Sequence, residues 1–369
     1  MRAVQSPPAF HPVSKPAEDV GALPPSSLDS TGPSDPGWRP SLPSSLPEPT
    51  KRGTGPFLRI GLPTFLLLIT ILTTTANGAR FMRNFALGLP AGVRDSDLWP
   101  WPWLLRHPHL FITGFAFSGA LLTILLVHEF GHYFACRLHR IRATLPFVLP
   151  APTLSGTAGA VIQIRSGFMS RDALMDVGVS GPLIGYFASI VVVAIGFRHS
   201  RSAAFAVEAD LGRFGAEPLT MRLIHAALAH TSPGLPAFHD LTPHPVLLAG
   251  WIGLFITALN LIPGGQLDGG HILYALAPRV HRLVTRMLPW VLFAAGTFYW
   301  AGWILWGLIL LIPAMRHPRV PEYPPLHPAR RVLGVVGLVL FVLTFTPTPF
   351  ADNSLLDMVS AIRGALLSS

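Results

Sequence analysis

The chain has 369 residues, half of them apolar and only 12% charged. Soluble domains carry about a quarter charged residues, so disordered, collagen-like and disulfide-scaffold classes are excluded and an integral membrane protein remains. The formal charge of +9 is no nucleic-acid signal, because 25 of the 27 basic residues are arginine and most stand at the ends of apolar runs, as membrane-flanking positives do.

Residues 1–56 hold 13 of the 38 prolines and both lysines, with no periodic apolar pattern. A disordered, cytoplasmic tail is expected there. Its apolar stretch comes too late for a signal peptide, and Glu18, Asp19, Asp29, Asp35 and Glu48 argue against a transit peptide. Apolar runs able to cross a bilayer follow, each needing about 20 helical residues. The first is Phe57 to Asn77, the second Leu110 to Leu138, the third Leu174 to Phe197 and the fourth Pro245 to Pro263. Leu283 to Met315 is too long for one helix and has arginines at both ends (Arg282, Arg286, Arg316, Arg319), which predicts a hairpin turning near Phe298–Gly302. Val332 to Phe350 is the last span, and 351–369 is a C-terminal tail. The fold class expected is an all-α polytopic membrane protein of about six or seven transmembrane helices.

Thr144 to Ser166 is too short and too uneven to span. Its Pro146, Pro150 and Pro152, followed by Gly-rich alternation, predict a short membrane-associated β-hairpin. Arg137, Arg140, Arg142, Arg165, Arg171, Arg330 and Arg331 place the loops after the second span and before the third and last on the cytoplasmic side. The 198–244 connection, with Glu208, Asp210, Glu217 and Asp240, then lies outside.

Ionisable residues inside spans must be paired or functional. The second span ends in His128-Glu129-Phe130-Gly131-His132. Histidines four apart on a helix share a face, so both rings can reach one Zn²⁺ at about 2.0–2.1 Å. Glu129 beside the first can take a proton from the attacking water, as in the helical H-E-x-x-H pattern. A catalytic zinc takes a third protein ligand. The metzincin position is Leu138, with His139 one residue too far, and the later glutamates Glu208, Glu217 and Glu322 lie outside apolar runs. Asp268 remains, in Asn260-Leu-Ile-Pro263-Gly-Gly-Gln266-Leu267-Asp268-Gly269-Gly270. The second and fourth spans run in the same direction, so their C-terminal ends share a face and Asp268 can approach both histidines. The alternative role for Asp268 is to cap a short helix starting at Gly269.

Together these motifs resemble the site-2 protease family of intramembrane zinc metalloproteases, peptidase family M50, over about residues 57–350. Ser155-Gly-Thr-Ala-Gly-Ala160-Val-Ile-Gln-Ile-Arg165-Ser, Ser180-Gly-Pro-Leu-Ile-Gly185 and Phe345-Thr-Pro-Thr-Pro-Phe350 are similar to the branch of bacterial members without a PDZ domain and related plastid proteases. Gly167-Phe-Met-Ser170 departs from the Pro- and Asn-containing turn of that branch. The resemblance implies one zinc per chain held by His128, His132 and Asp268, with Glu129 as general base. It also implies that Asn260 steadies the substrate carbonyl or oxyanion, against the plainer role of bonding carbonyls freed by Pro263, and that the β-hairpin clamps the substrate as an added strand. The function it implies is hydrolysis of a peptide bond within or near the helix of a single-span membrane protein. The expected setting is a bacterial inner membrane with the site towards the cytoplasm. A metal transporter and an inactive homologue that escorts membrane proteins are the rival readings. His271, one turn past Asp268, is read as packing locally, Cys136 as apolar filling, and His225, His230, His239 and His244 as surface histidines.

Overall fold

The computed structural model describes residues 60–89, 99–202, 216–232, 234–351 and 353–368. The expected tail, the start of the first span, and Glu208 and Asp210 lie outside the described residues, as does the side chain of His239.

Helix α1 spans Leu62–Ala86, with Pro63 in its first turn, where a missing N–H costs nothing. Its threonines are tolerated because their hydroxyls bond within the helix, as Thr70 does to the Leu66 carbonyl and Thr74 to that of Thr70. The helix does not stop at Asn77 as expected. It runs on through Arg80 and Arg83, whose guanidiniums lie 5.2 and 5.5 Å from the ring of Trp103. The two charges are thus held against an indole face.

A 3₁₀ segment, Pro108–Gly114, leads into α2, Phe115–Leu138. Helix α3 is Arg171–His199. Ser170 starts it, accepting the Ala173 N–H at 3.2 Å, and Asp172 sits favourably in its first turn. The short helix α4, Leu219–Thr231, buries only Thr220 and Met221, which suits a helix lying along a surface. Helix α5 is Pro245–Asn260 and is buried along nearly all its length. Helix α6 is Asp268–Leu276, and the hairpin consists of α7, Pro278–Phe298, and α8, Gly302–Leu311, with its turn where the sequence predicts it. Helix α9, Pro328–Thr344, ends before the Phe345–Phe350 motif. The segment expected as a C-terminal tail contains α10, Leu355–Ser368.

Among the described residues, three helical segments are long and apolar enough to cross a membrane: Leu62–Ala86, Pro108–Leu138 and Arg171–His199. Pro245–Asn260 and Gly302–Leu311 are apolar but shorter. At about 1.5 Å per residue α5 measures roughly 24 Å, less than the hydrocarbon thickness, and its chain continues into a non-helical turn.

Strands β1, Phe147–Pro150, and β2, Thr157–Val161, form the expected antiparallel hairpin, pairing Phe147 with Val161 and Leu149 with Gly159. An isolated bridge between Ala143 and Ile164 prolongs it. Helix α1 fastens this hairpin through side chains: Thr70 Oγ1 donates to the Val148 carbonyl at 3.2 Å, Thr73 Oγ1 to Gly156 at 2.7 Å and Asn77 Nδ2 to Thr153 at 2.9 Å. A second small pair, β3 (Arg201–Ser202) with β4 (Leu241–Thr242), ties the end of α3 to the chain entering α5. The core lies where α2, α3 and α5 pack together, around Leu121, Ile124, Leu174, Val193, Leu247 and Leu254.

Candidate active site

The C-terminal half of α2 carries His128, Glu129 and His132, and all three are buried although polar. Groups of that kind are retained in a core only with partners. For the two rings the partner is Asp268, the first residue of α6. Its Oδ2 lies 3.3 Å from His128 Nε2 and 3.2 Å from His132 Nε2, and the two Nε2 atoms are 3.1 Å apart. The N-cap position of α6 is Leu267 and no side chain caps that end, so the carboxylate is turned to the histidines and away from a capping role.

Helix α3 positions the rings. His132 Nδ1 lies 2.7 Å from the Val177 carbonyl oxygen, and since a carbonyl only accepts, Nδ1 carries the proton and Nε2 presents its lone pair. The next turn holds Pro182 within the helix, which removes one backbone donor there. The rings themselves lie flat on glycines: a Cβ on Gly181 would overlap His132, and one on Gly185 would come within 2.8 Å of His128 Nδ1. Gly181 and Gly185 are four apart, as the histidines are. The Ser180–Gly185 motif is therefore the floor on which the H-E-x-x-H helix is laid.

Asn260 closes α5, and its Nδ2 lies 3.2 Å from His128 Nε2. Its amide is thus directed at the three-donor group and not at a carbonyl near Pro263. The chain reverses after Asn260 through Gly265, which has φ +58, a value that favours glycine. Gln266 anchors the turn by donating to the carbonyls of Ala314 and Arg316. At its far end, Arg171 of α3 donates to the Ala275 and Leu276 carbonyls, which fixes α6 from its C-terminus.

A cavity of 370 Å³ adjoins these groups. Glu129, His132, Asn260 and Asp268 form one side, and Ala160 to Ile164, the end of β2 and its continuation, form another. Strand β1 pairs with β2, and the backbone of Ile162, just past β2, hydrogen-bonds to the Glu129 carboxylate.

His128, His132 and Asp268 form a group that could hold a metal ion. A tetrahedral zinc with bonds of about 2.0–2.1 Å sets its ligand atoms roughly 3.3–3.4 Å apart, and the three donor separations, 3.1 to 3.3 Å, are close to that. Two imidazole nitrogens and a carboxylate oxygen are also the donor types zinc takes. The residues fit the ion.

The sequence profile of Peptidase family M50 matches residues 116–296. That stretch belongs to this family. The M50 match runs from the first turn of α2 almost to the end of α7 and includes every residue just described except the α8–α9 loop carbonyls. Among relatives, Probable zinc metalloprotease EGY1, chloroplastic, of Oryza sativa subsp. japonica is 31% identical over 235 residues, 62% of this chain and 39% of that protein. Its Arabidopsis thaliana counterpart is 30% identical over 62% of this chain and 42% of its own length. Probable zinc metalloprotease EGY2, chloroplastic, of Oryza sativa subsp. indica is 30% identical over 65% and 44%. The chain spans about two fifths of the length of these relatives. They are chloroplastic plant proteins, so the expectation of a bacterial inner membrane finds no support among them.

Val177 carries no signal in the sequence, whereas Arg171 is read there only for its charge and Gly181 and Gly185 only as part of the Ser180–Gly185 motif. The matching four-residue spacings of the glycines and the histidines were the available signal.

Proposed function

We propose that this M50 protein is a multi-pass zinc metalloprotease that hydrolyses a peptide bond within or beside the transmembrane helix of a single-span substrate. The observation that carries the reading is the buried three-donor group with Glu129 beside it, opening on a cavity that the end of β2 and its continuation also line. Bound by His128, His132 and Asp268, zinc would supply Lewis acidity, polarising a carbonyl and making water a nucleophile at neutral pH.

The chain's own residues do the rest. Glu129, adjacent to the first ligand, takes the proton of the attacking water and delivers it to the leaving amine. The Asn260 amide, directed at the same spot, donates to the oxygen on which negative charge develops. His132 is kept in the ligating tautomer by the Val177 carbonyl. A helical substrate has to unwind before its backbone can enter such a site, and pairing with the Ala160–Ile164 edge would replace the hydrogen bonds it gives up. Non-helical backbone at membrane depth is tolerated where it lines a wet cavity, and hydrolysis needs that water. Three of the described segments are long and apolar enough to cross a membrane, and counting α5, the α7–α8 hairpin and α9 with them gives the six or seven crossings of this reading. The arginine-rich loops support placing the site near the cytoplasmic-type face.

In cells expressing the protein or its Glu129→Ala variant, quantitative membrane proteomics should show single-span precursors accumulating with the variant. Identical profiles at equal expression would overturn the reading.

A further inference from the structure

The α7–α8 hairpin and the loop after it enclose a second cavity, of 830 Å³, that the proposed reaction does not use. Arg282 and Arg286 reach it from the first turns of α7, and Arg316 and Arg319 from the loop following α8. Arg282 and Arg286 are four apart on the helix and so share a face. The one acid on the wall is Glu322, so four positive charges stand against a single negative one. Among the described residues none of these arginines forms an ion pair, whereas Arg330, on α9, is paired with Asp172 and Asp176. Burial holds His317, also on the wall, down at about 4, so at neutral pH the positive charge comes from the arginines alone. Four unpaired guanidiniums around one space repel each other unless an anion lies between them.

The rest of the wall sets Tyr274, His281 and Thr285 beside an apolar side. Trp290, Leu310 and Leu311 line it, and Trp290 is 66% exposed, with Met287 and Val291 exposed beside it. The cavity therefore joins a basic mouth to the outer apolar face of a hairpin, at the level where the sequence puts a membrane boundary. Guanidinium forks match phosphate oxygens two at a time, and basic pockets between membrane helices suit anionic headgroups. We propose that this cavity is a phosphate-binding site for the headgroup of an anionic membrane lipid, with the acyl chains along Trp290 and Leu311. It lies close to the catalytic cavity: His317 Nε2 is 2.8 Å from His271 Nδ1, and His271 lines the space beside Asp268.

The test uses the full chain, delipidated in detergent and offered phosphatidylglycerol, phosphatidylcholine or inorganic phosphate, with bound species counted by native mass spectrometry. Phosphatidylglycerol should be retained over phosphatidylcholine, and Arg282→Gln/Arg316→Gln should weaken that retention by roughly tenfold or more, from what each arginine contributes near a charged lipid surface. A control with the same charge change elsewhere, Arg198→Gln/Arg222→Gln, should retain it. Equal retention of the two lipids by the wild type would overturn the proposal whether or not the variants fold. So would equal loss in the control, undiminished binding in the cavity variant, or binding of inorganic phosphate without phosphatidylglycerol.

Discussion

Which nitrogen of a ring carries the proton decides whether a buried histidine can ligate. The Val177 carbonyl settles this for His132 at 2.7 Å, and the arrangement asks Asp268 for the remaining negative charge. Removing that carboxylate leaves two protein donors where a catalytic zinc takes three. Asp268→Ala should therefore be purified with much less zinc than the wild type, by elemental analysis. Glu129→Ala, which touches no donor, should keep about one ion per chain if the ligand set is complete without it. Zinc at the wild-type level in Asp268→Ala would remove Asp268 from the ligand set. At this scale the sequence was informative. A four-residue spacing on a helix is a local property, and the shortage of acids in apolar runs made Glu129 and Asp268 conspicuous. Asn260 was legible only through its motif, since its approach to His128 joins residues 132 positions apart.

Between elements, the site depends on how closely α2 can lie on α3. Gly181→Ala would drive a methyl group into the His132 ring. Overpacking of this kind costs about 1–3 kcal/mol, so the variant should melt at a lower temperature in detergent and bind zinc more weakly. An unchanged melting temperature and zinc content would show that the helices part without consequence. A second tether joins α9 to α3. Arg330 donates to Asp176 at 2.7–2.9 Å and to Asp172 at 3.0 Å, and His139 at the end of α2 lies 2.8 Å from Asp176. These groups are partly exposed, so screening reduces their worth. A double-mutant cycle of Arg330→Ala and Asp176→Ala should give a coupling of about 1 kcal/mol in stability, and no coupling would mean the tether is ornamental. Little of this is legible in any one segment, although the four-residue spacing of Gly181 and Gly185 matches that of the histidines. The glycine floor, the Arg330 tether and the Arg171 clamp on α6 are set by helix-to-helix register, which no single segment encodes. The extension of α1 past Asn77 was missed because Gly78, Arg80 and Arg83 look like a helix end until Trp103 is seen beneath the arginines.

For the molecule as a whole, the helical hairpin turn and the meeting of the ends of α2 and α5 were readable from apolar run lengths and arginine positions, and the two-stranded β-hairpin from its prolines and Gly-rich alternation. The number of crossings was not, because α5 and α8 are shorter than a bilayer and their depth depends on neighbours. In the proposed reaction Glu129 moves the proton at a metal held by His128, His132 and Asp268, and a membrane-embedded peptide bond is broken as a result. The most direct measurement is cleavage of a purified single-span reporter in proteoliposomes, wild type against Glu129→Gln, with zinc content checked in both. This role of Glu129 predicts reporter fragments with the wild type and a loss of about 100-fold or more in Glu129→Gln at unchanged zinc, as expected for removing a general base. Cleavage by Glu129→Gln at the wild-type rate would contradict it.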